Sequence, residues 1–146
     1  MLNNRKTALV TGASVGIGKA TAIKLAEEGC DVVLFDINEE KMAVTASECE
    51  KLGAKVRAYV CDVSNEEQVC ASVSDALKAF GSIDVLVNNA AIAQQKLFTD
   101  ITEEEWDGMT DINFKAAFFL MRDEINYLKS SGIRGNILNI ASNAAC

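Results

Sequence analysis

The sequence contains no histidine and no proline. Without an imidazole, neither a Ser-His-Asp triad nor an H-E-x-x-H zinc helix can be assembled from these residues. Without proline there is no polyproline II linker and no proline-rich recognition tail. The longest uninterrupted apolar run, Ala116 to Met121, falls far short of the ~20 residues a helix needs to cross a bilayer. Positive charge is in deficit: Lys and Arg number 14 against 21 Asp and Glu, for a net charge of −7. Apart from the adjacent Arg5 and Lys6 the basic residues are scattered singly, so no stripe offers a footing for nucleic acid or an anionic membrane surface. Cys30, Cys49, Cys61, Cys70 and Cys146 are odd in number and include no C-x-x-C pair; they read as reduced, structural thiols. Met1 to Lys6 lead straight into the first strand-like run. No secretory leader fits there, and a cytoplasmic location is expected.

What is present is ordinary globular material, 49% hydrophobic and 24% charged over 146 residues, enough for one domain with a sizeable core. Strand-like runs at Ala8 to Thr11, Asp31 to Asp36, Lys55 to Cys61, Ile83 to Asn88 and Asn136 to Ala141 alternate with helix-like runs. Val33-Leu34-Phe35 and Val85-Leu86-Val87 are continuously apolar, as strands buried on both faces of a parallel sheet are. Ser64-Asn65-Glu66-Glu67 and Thr102-Glu103-Glu104-Glu105 both fit a capping box at a helix start. After the first, Val69, Val73, Ala76, Leu77 and Phe80 recur at helical spacing. Gly29, Gly53, Gly81 and Gly132 sit where left-handed helix ends belong. The pattern predicts an α/β fold: a doubly wound parallel sheet of five strands, Rossmann-like, with helices on both faces and no internal linker.

The stretch TALVTGASVGIGKAT, residues 7–21, joins a strand to a helix through three glycines. Such a turn brings backbone N–H groups to a phosphate at a helix N-terminus. A Walker loop, G-x-x-x-x-G-K-[ST], would need glycine at 13 and a hydroxyl at 20; both are alanine. Gly12, Gly16 and Gly18 are spaced G-x-x-x-G-x-G rather than G-x-G-x-x-G, yet strand, small residues and helix come in the order a dinucleotide loop requires. Asp36 closes the second strand-like run at the distance where an acidic residue binds ribose hydroxyls. Asn38, not Asp36, reads as the N-cap of the helix that follows.

At these residues the chain resembles the short-chain dehydrogenase/reductase family. Thr11-Gly12-Ala13-Ser14-Val15-Gly16-Ile17-Gly18 resembles its T-G-x-x-x-G-x-G loop, and Asp62-Val63 its adenine-bordering D-V pair. Asn88-Asn89-Ala90-Ala91 is similar to its N-N-A-G, with alanine in place of the last glycine. Asn113 stands at the position of its active-site asparagine, and Asn139-Ile140-Ala141-Ser142 resembles the segment carrying its catalytic serine. The resemblance spans the chain. It implies a cofactor site of Gly12, Ser14, Gly16, Ile17, Gly18, Asp36, Asp62, Val63, Asn89 and Ala90, with catalytic roles for Ser142 and Asn113. The implied activity is hydride transfer between a nicotinamide and a small-molecule carbonyl or alcohol, in a homo-oligomer when full length. Asp36 would repel a 2′-phosphate, and Val15 and Ile37 stand where NADP users often place a cation, so NAD is the expected cofactor.

The family's acid/base is a tyrosine with a lysine four residues on, because an unassisted phenol near pKa 10 is a poor base at neutral pH. Tyr59 is followed at that distance by Val63, and Tyr127 by Ser131. The 146 residues therefore read as a dinucleotide-binding domain, 1–146, incomplete at its C-terminal end and inactive by itself. A non-catalytic NAD(H)-binding module, or another Rossmann-fold enzyme such as a methyltransferase, remain alternatives that fold alone does not separate.

Overall fold

The structure is a computed structural model in which residues 5–142 are described. Five parallel strands, β1 (Thr7–Thr11), β2 (Asp31–Asp36), β3 (Val56–Val60), β4 (Val85–Asn88) and β5 (Asn136–Asn139), form one sheet in the order β3-β2-β1-β4-β5. The connections are α1 (Gly16–Glu27), α2 (Glu39–Lys51), α3 (Glu66–Phe80), and the pair α4 (Glu103–Thr110) and α5 (Ala116–Ser131). The predicted α/β class and five-strand parallel sheet are what is found.

The central strands show why. Val10, Val32, Leu34 and Val87 point to one face, where they pack with Ala22 and Ala26 of α1 and Met42 and Cys49 of α2. Their alternating neighbours Leu9, Val33, Phe35 and Leu86 point to the other, against Ala76 of α3 and Leu120 of α5. A strand covered on both faces must be apolar at every position, and β2 is buried from Asp31 through Phe35. Val69, Val73, Leu77 and Phe80 bring the predicted stripe of α3 onto the second cluster.

Helix ends follow local chemistry. The Asn38 side chain caps α2 by accepting from the Lys41 N–H, and Thr102 and Glu105 complete the predicted capping box of α4. The box expected at Ser64 is not formed: Asn65 caps α3, its Oδ1 accepting from the Gln68 N–H. Ser64 instead donates its amide and hydroxyl to Asp62 Oδ1. An Asx turn thus captures the serine and moves the helix start by one residue. Gly81 and Gly132 end α3 and α5 in the left-handed region, at φ +85° and +69°.

β3, β4 and β5 are each two residues shorter than the expected runs; the β5 segment is largely exposed and, among the described residues, pairs with β4 alone. Between α4 and α5 the chain makes a π-helical turn, Asp111–Lys115, that hydrophobic spacing does not reveal. Cys30, Cys49, Cys61 and Cys70 are free thiols, in keeping with the reduced reading; Cys146 lies outside the described residues. No helix among the described residues is long and apolar enough to cross a membrane.

Candidate cofactor cleft

The chain leaves β1 on one side toward β2 and returns on the other as β4. The loops at the carboxyl ends of these strands therefore diverge, leaving the crevice in which open α/β sheets bind ligands. Here it has a volume of about 350 Å³ and is bordered by Gly12, Ser14, Asp36, Asp62, Val63 and Ala90, together with Val15 and Ile92.

The glycine turn is built by close backbone approach. Gly12 has φ +64°, and a Cβ there would meet the Ala90 Cα at 2.9 Å. A Cβ on Gly18 would fall 2.1 Å from the Gly12 carbonyl oxygen and 2.5 Å from Asn89 Nδ2. Gly16 differs: at φ +56° it has no atom within 4 Å of a would-be Cβ, so the space beside it is open, although it does not itself border the cleft. Val15, the N-cap of α1, offers no side-chain acceptor, and the first turn holds no acid. By contrast α2, α3 and α4 each have a capping side chain and glutamates in the first turn. Thus the amides of α1 fit an anion supplied from outside. Ser14 and Ile17 flank this opening, Ser14 buried and Ile17 exposed.

Asp36 ends β2 with its carboxylate already oriented. Oδ2 accepts from the Ser14 N–H at 3.0 Å and Oδ1 from the Asn38 N–H at 2.9 Å. Each oxygen keeps lone-pair capacity for a ribose hydroxyl, since a carboxylate offers about four acceptor sites. Asp62 lies beyond β3, its amide donating to Gln68 Oε1. The neighbouring Cys61 thiol is pushed up to about 11, chiefly by burial, which keeps it neutral and unreactive.

Asn89 and Thr11 tie the two sides of the crevice together. Asn89 Nδ2 donates to the Thr11 and Gly12 carbonyls at 3.0 and 3.1 Å. Thr11 Oγ1 accepts from the Asn89 and Ala90 amides, both at 3.0 Å. The Asn89 side chain is thus engaged with protein backbone and shapes the turn. The role of Thr11 has no signature in a single sequence beyond its place in the motif. Thr11→Val keeps the shape but orphans two loop amides, and should lower stability by about 1.5 kcal/mol. Urea unfolding at neutral pH checks this; an unchanged midpoint would mean that water replaces the hydroxyl.

Asn113 sits in the π turn. Its Oδ1 accepts from the Ile92 N–H and its Nδ2 donates to the Ile92 carbonyl, both at 2.8 Å. This reciprocal pair anchors the loop after β4 to the irregular turn before α5, a helical irregularity often found at functional sites. Ser142 lies exposed beyond the end of β5. That strand end is held beside β4, the Asn88 side chain donating to Asn139 Oδ1 at 2.9 Å and the Ile140 amide to the Asn88 carbonyl.

Neither tyrosine substitutes for the expected acid/base. Tyr59 Oη donates to Asp75 Oδ2 at 2.7 Å, and its ring packs edge-on against Phe35. Burial and the Asp75 hydrogen bond push its phenol up to about 12, the wrong direction for a base. Tyr127 donates to the Gly81 carbonyl at the far end of α5.

The sequence model described as short chain dehydrogenase matches residues 6–146. The 3-oxoacyl-(acyl-carrier-protein) reductase FabG of Thermotoga maritima is 37% identical over 137 residues, covering 94% of this chain and 55% of that protein. A 3beta-hydroxysteroid dehydrogenase of Mediterraneibacter gnavus is 38% identical over 140 residues, 95% of this chain and 50% of its own length. The chain spans about half the length of the curated relatives it matches. A crystal structure of a short-chain type dehydrogenase/reductase from Mycobacterium marinum superimposes with a TM-score of 0.90 at 32% identity, covering 97% of this chain and 57% of that one. A metagenomic short-chain oxidoreductase in complex with NADP does so with a TM-score of 0.88 at 36% identity, covering 94% and 62%. With its parallel sheet, glycine turn and matching motifs, this chain belongs to the short-chain dehydrogenase family.

Proposed function

We propose that the cleft binds NAD and that the chain supplies the cofactor side of an oxidoreductase acting on a small carbonyl or alcohol. The observation that carries the cofactor choice is Asp36, a carboxylate fixed by two backbone amides at the rim of the cleft. In this reading the open turn around Gly16 takes the pyrophosphate, Asp36 accepts from the ribose hydroxyls, and Asp62 and Val63 border the adenine. A 2′-phosphate would meet the Asp36 charge, with Val15 and Ile37 as its uncharged neighbours. The nicotinamide, when bound, accepts or donates the hydride.

Asn113 and Ser142 stand on the substrate side. The Asn113 amide is engaged with Ile92, so its contribution is to hold the π turn and the β4 loop in place. Ser142, a hydroxyl beyond the end of β5, would orient the substrate oxygen. Because neither Tyr59 nor Tyr127 has a lysine four residues on, the 146 residues alone are expected to bind cofactor without turnover. Phe114 of the π turn and Phe118 and Ile125 of α5, all exposed, support homo-oligomer formation by the whole protein, and cytoplasmic location belongs to the same reading.

Asp36→Ala should weaken NAD binding about tenfold, the loss of one charge-assisted pair of hydrogen bonds, and should narrow the gap between NAD and NADP. Calorimetric titration of both cofactors measures it. An unchanged NAD preference would remove Asp36 from the ribose site.

A further inference from the structure

A cavity of about 520 Å³ lies away from the strand ends, in the seam between α3 and α5. Leu9, Ile83 and Leu86 of the sheet face form its floor, with Val73 and Leu77 of α3 and Leu120 of α5 as walls. Its size is that of a small-molecule site, ~300–1,000 Å³, and its lining is mostly hydrocarbon as such sites are. One side chain breaks the pattern. Glu124 of α5 borders the cavity and is only 9% exposed, and its Oε1 is buried without a hydrogen-bond partner.

A buried carboxyl without a donor is strongly unfavourable, and nothing in the seam relieves it. Asp84, on the approach to β4, is a second acid whose Oδ2 already accepts from the Thr7 amide and the Ser82 hydroxyl. Asp123 and Tyr127 share α5 with Glu124, Cys70 and Lys78 border from α3, and β1 contributes only Leu9. Lys78, the one cation on the rim, forms no ion pair with Glu124. Acids thus outnumber cations around an apolar space whose one buried polar side chain lacks a donor.

We propose that the α3–α5 seam is a second small-molecule site, taking a ligand with a hydrocarbon body and a single ammonium head that donates to Glu124. The body fills the apolar space over Leu9, Leu86 and Leu120, and the head supplies the missing donor and offsets the surrounding negative charge. The seam shares no bordering residue with the cofactor cleft, so the two proposals stand or fall separately. Burial, with the Asp84 charge, pushes the Glu124 carboxyl up to about 7, so the ammonium pairs best above that pH.

n-Octylamine, 1-octanol and octanoate are suitable probes, titrated against the chain by calorimetry with two-dimensional NMR to locate the shifts. At pH 8, octylamine should bind one to one at least tenfold tighter than octanol, with octanoate weakest. At pH 5.5 the amine's advantage should vanish. In Glu124→Leu, a substitution that leaves an apolar seam and so keeps the fold, octanol should still bind while amine and alcohol become equivalent. The proposal is overturned if amine and alcohol bind equally at pH 8, if the amine preference survives in Glu124→Leu, or if no probe shifts the α3 and α5 resonances.

Discussion

Gly18→Ala is expected to remove about 3 kcal/mol of stability, at the upper end for overpacking, and to abolish dinucleotide binding with it. On helix propensity alone alanine should help, by about 1 kcal/mol over glycine in a helix interior. Geometry opposes this: the new methyl would sit 2.1 Å from the Gly12 carbonyl oxygen and 2.5 Å from Asn89 Nδ2. One of these atoms is backbone and the other is held by the Thr11 and Gly12 carbonyls, so neither moves cheaply. Relief requires α1 to slide away from β1, opening the turn that would face the phosphates. Gly16→Ala is the informative companion, since it meets no atom within 4 Å and is strained only by its φ of +56°. There the loss should be about 1 kcal/mol, the cost of a left-handed conformation for a residue with a Cβ. Urea midpoints for the two variants, with calorimetric NAD titration, separate the effects. Equal midpoints would mean that α1 and the Gly12 turn are not in the close contact described.

How far such features could be read from residues alone depends on whether their cause is local. The β2 strand declared itself because burial on both faces leaves no polar position from Val32 to Phe35. The Thr102–Glu105 box and the Asn38 cap were legible because donor and acceptor are three residues apart. Asp36 was legible because strand, loop and acid follow one another at a set interval. The Asn89 and Asn113 pairs were not: they join groups 77, 78 and 21 residues apart, and an asparagine bound to backbone looks like one awaiting a ligand.

The start of α5 shows a second limit. Leu120 is buried over the sheet, while Phe114 in the π turn is 72% and Phe118 52% exposed. In a run that is apolar all round, as Ala116 to Met121 is, periodicity cannot tell which side faces the sheet. The π turn before it rotates the frame further. Glu124 was invisible for the opposite reason. A glutamate in the middle of a helix with Arg122 and Asp123 beside it reads as solvent-facing, and only the packing turns it inward.

That inward glutamate makes stability fall as pH rises, the reverse of what acids held by ion pairs produce. Burial first, and the Asp84 charge second, raise the Glu124 carboxyl from 4.5 to about 7. Between these values the folded chain keeps a proton that the unfolded chain has released. By linkage, stability then drops as pH rises through that window and levels off above about 7. At full strength a shift of this size is roughly 3.4 kcal/mol; the seam beside Glu124 is open enough for solvent to screen part of it, and about 2 kcal/mol is expected. Glu124→Leu removes the titrating group and adds hydrocarbon to an apolar seam. The variant should therefore be about 2 kcal/mol more stable than the parent at pH 8, the size of a relieved buried charge, and nearly equal to it at pH 4.5. Urea unfolding across this range, read by the exposed Trp106 and by circular dichroism, gives both curves. A parent whose stability is flat from pH 4.5 to 7.5, or a leucine variant with the same slope, would show that Glu124 is ionised and solvated in the folded chain, with the seam wet rather than apolar.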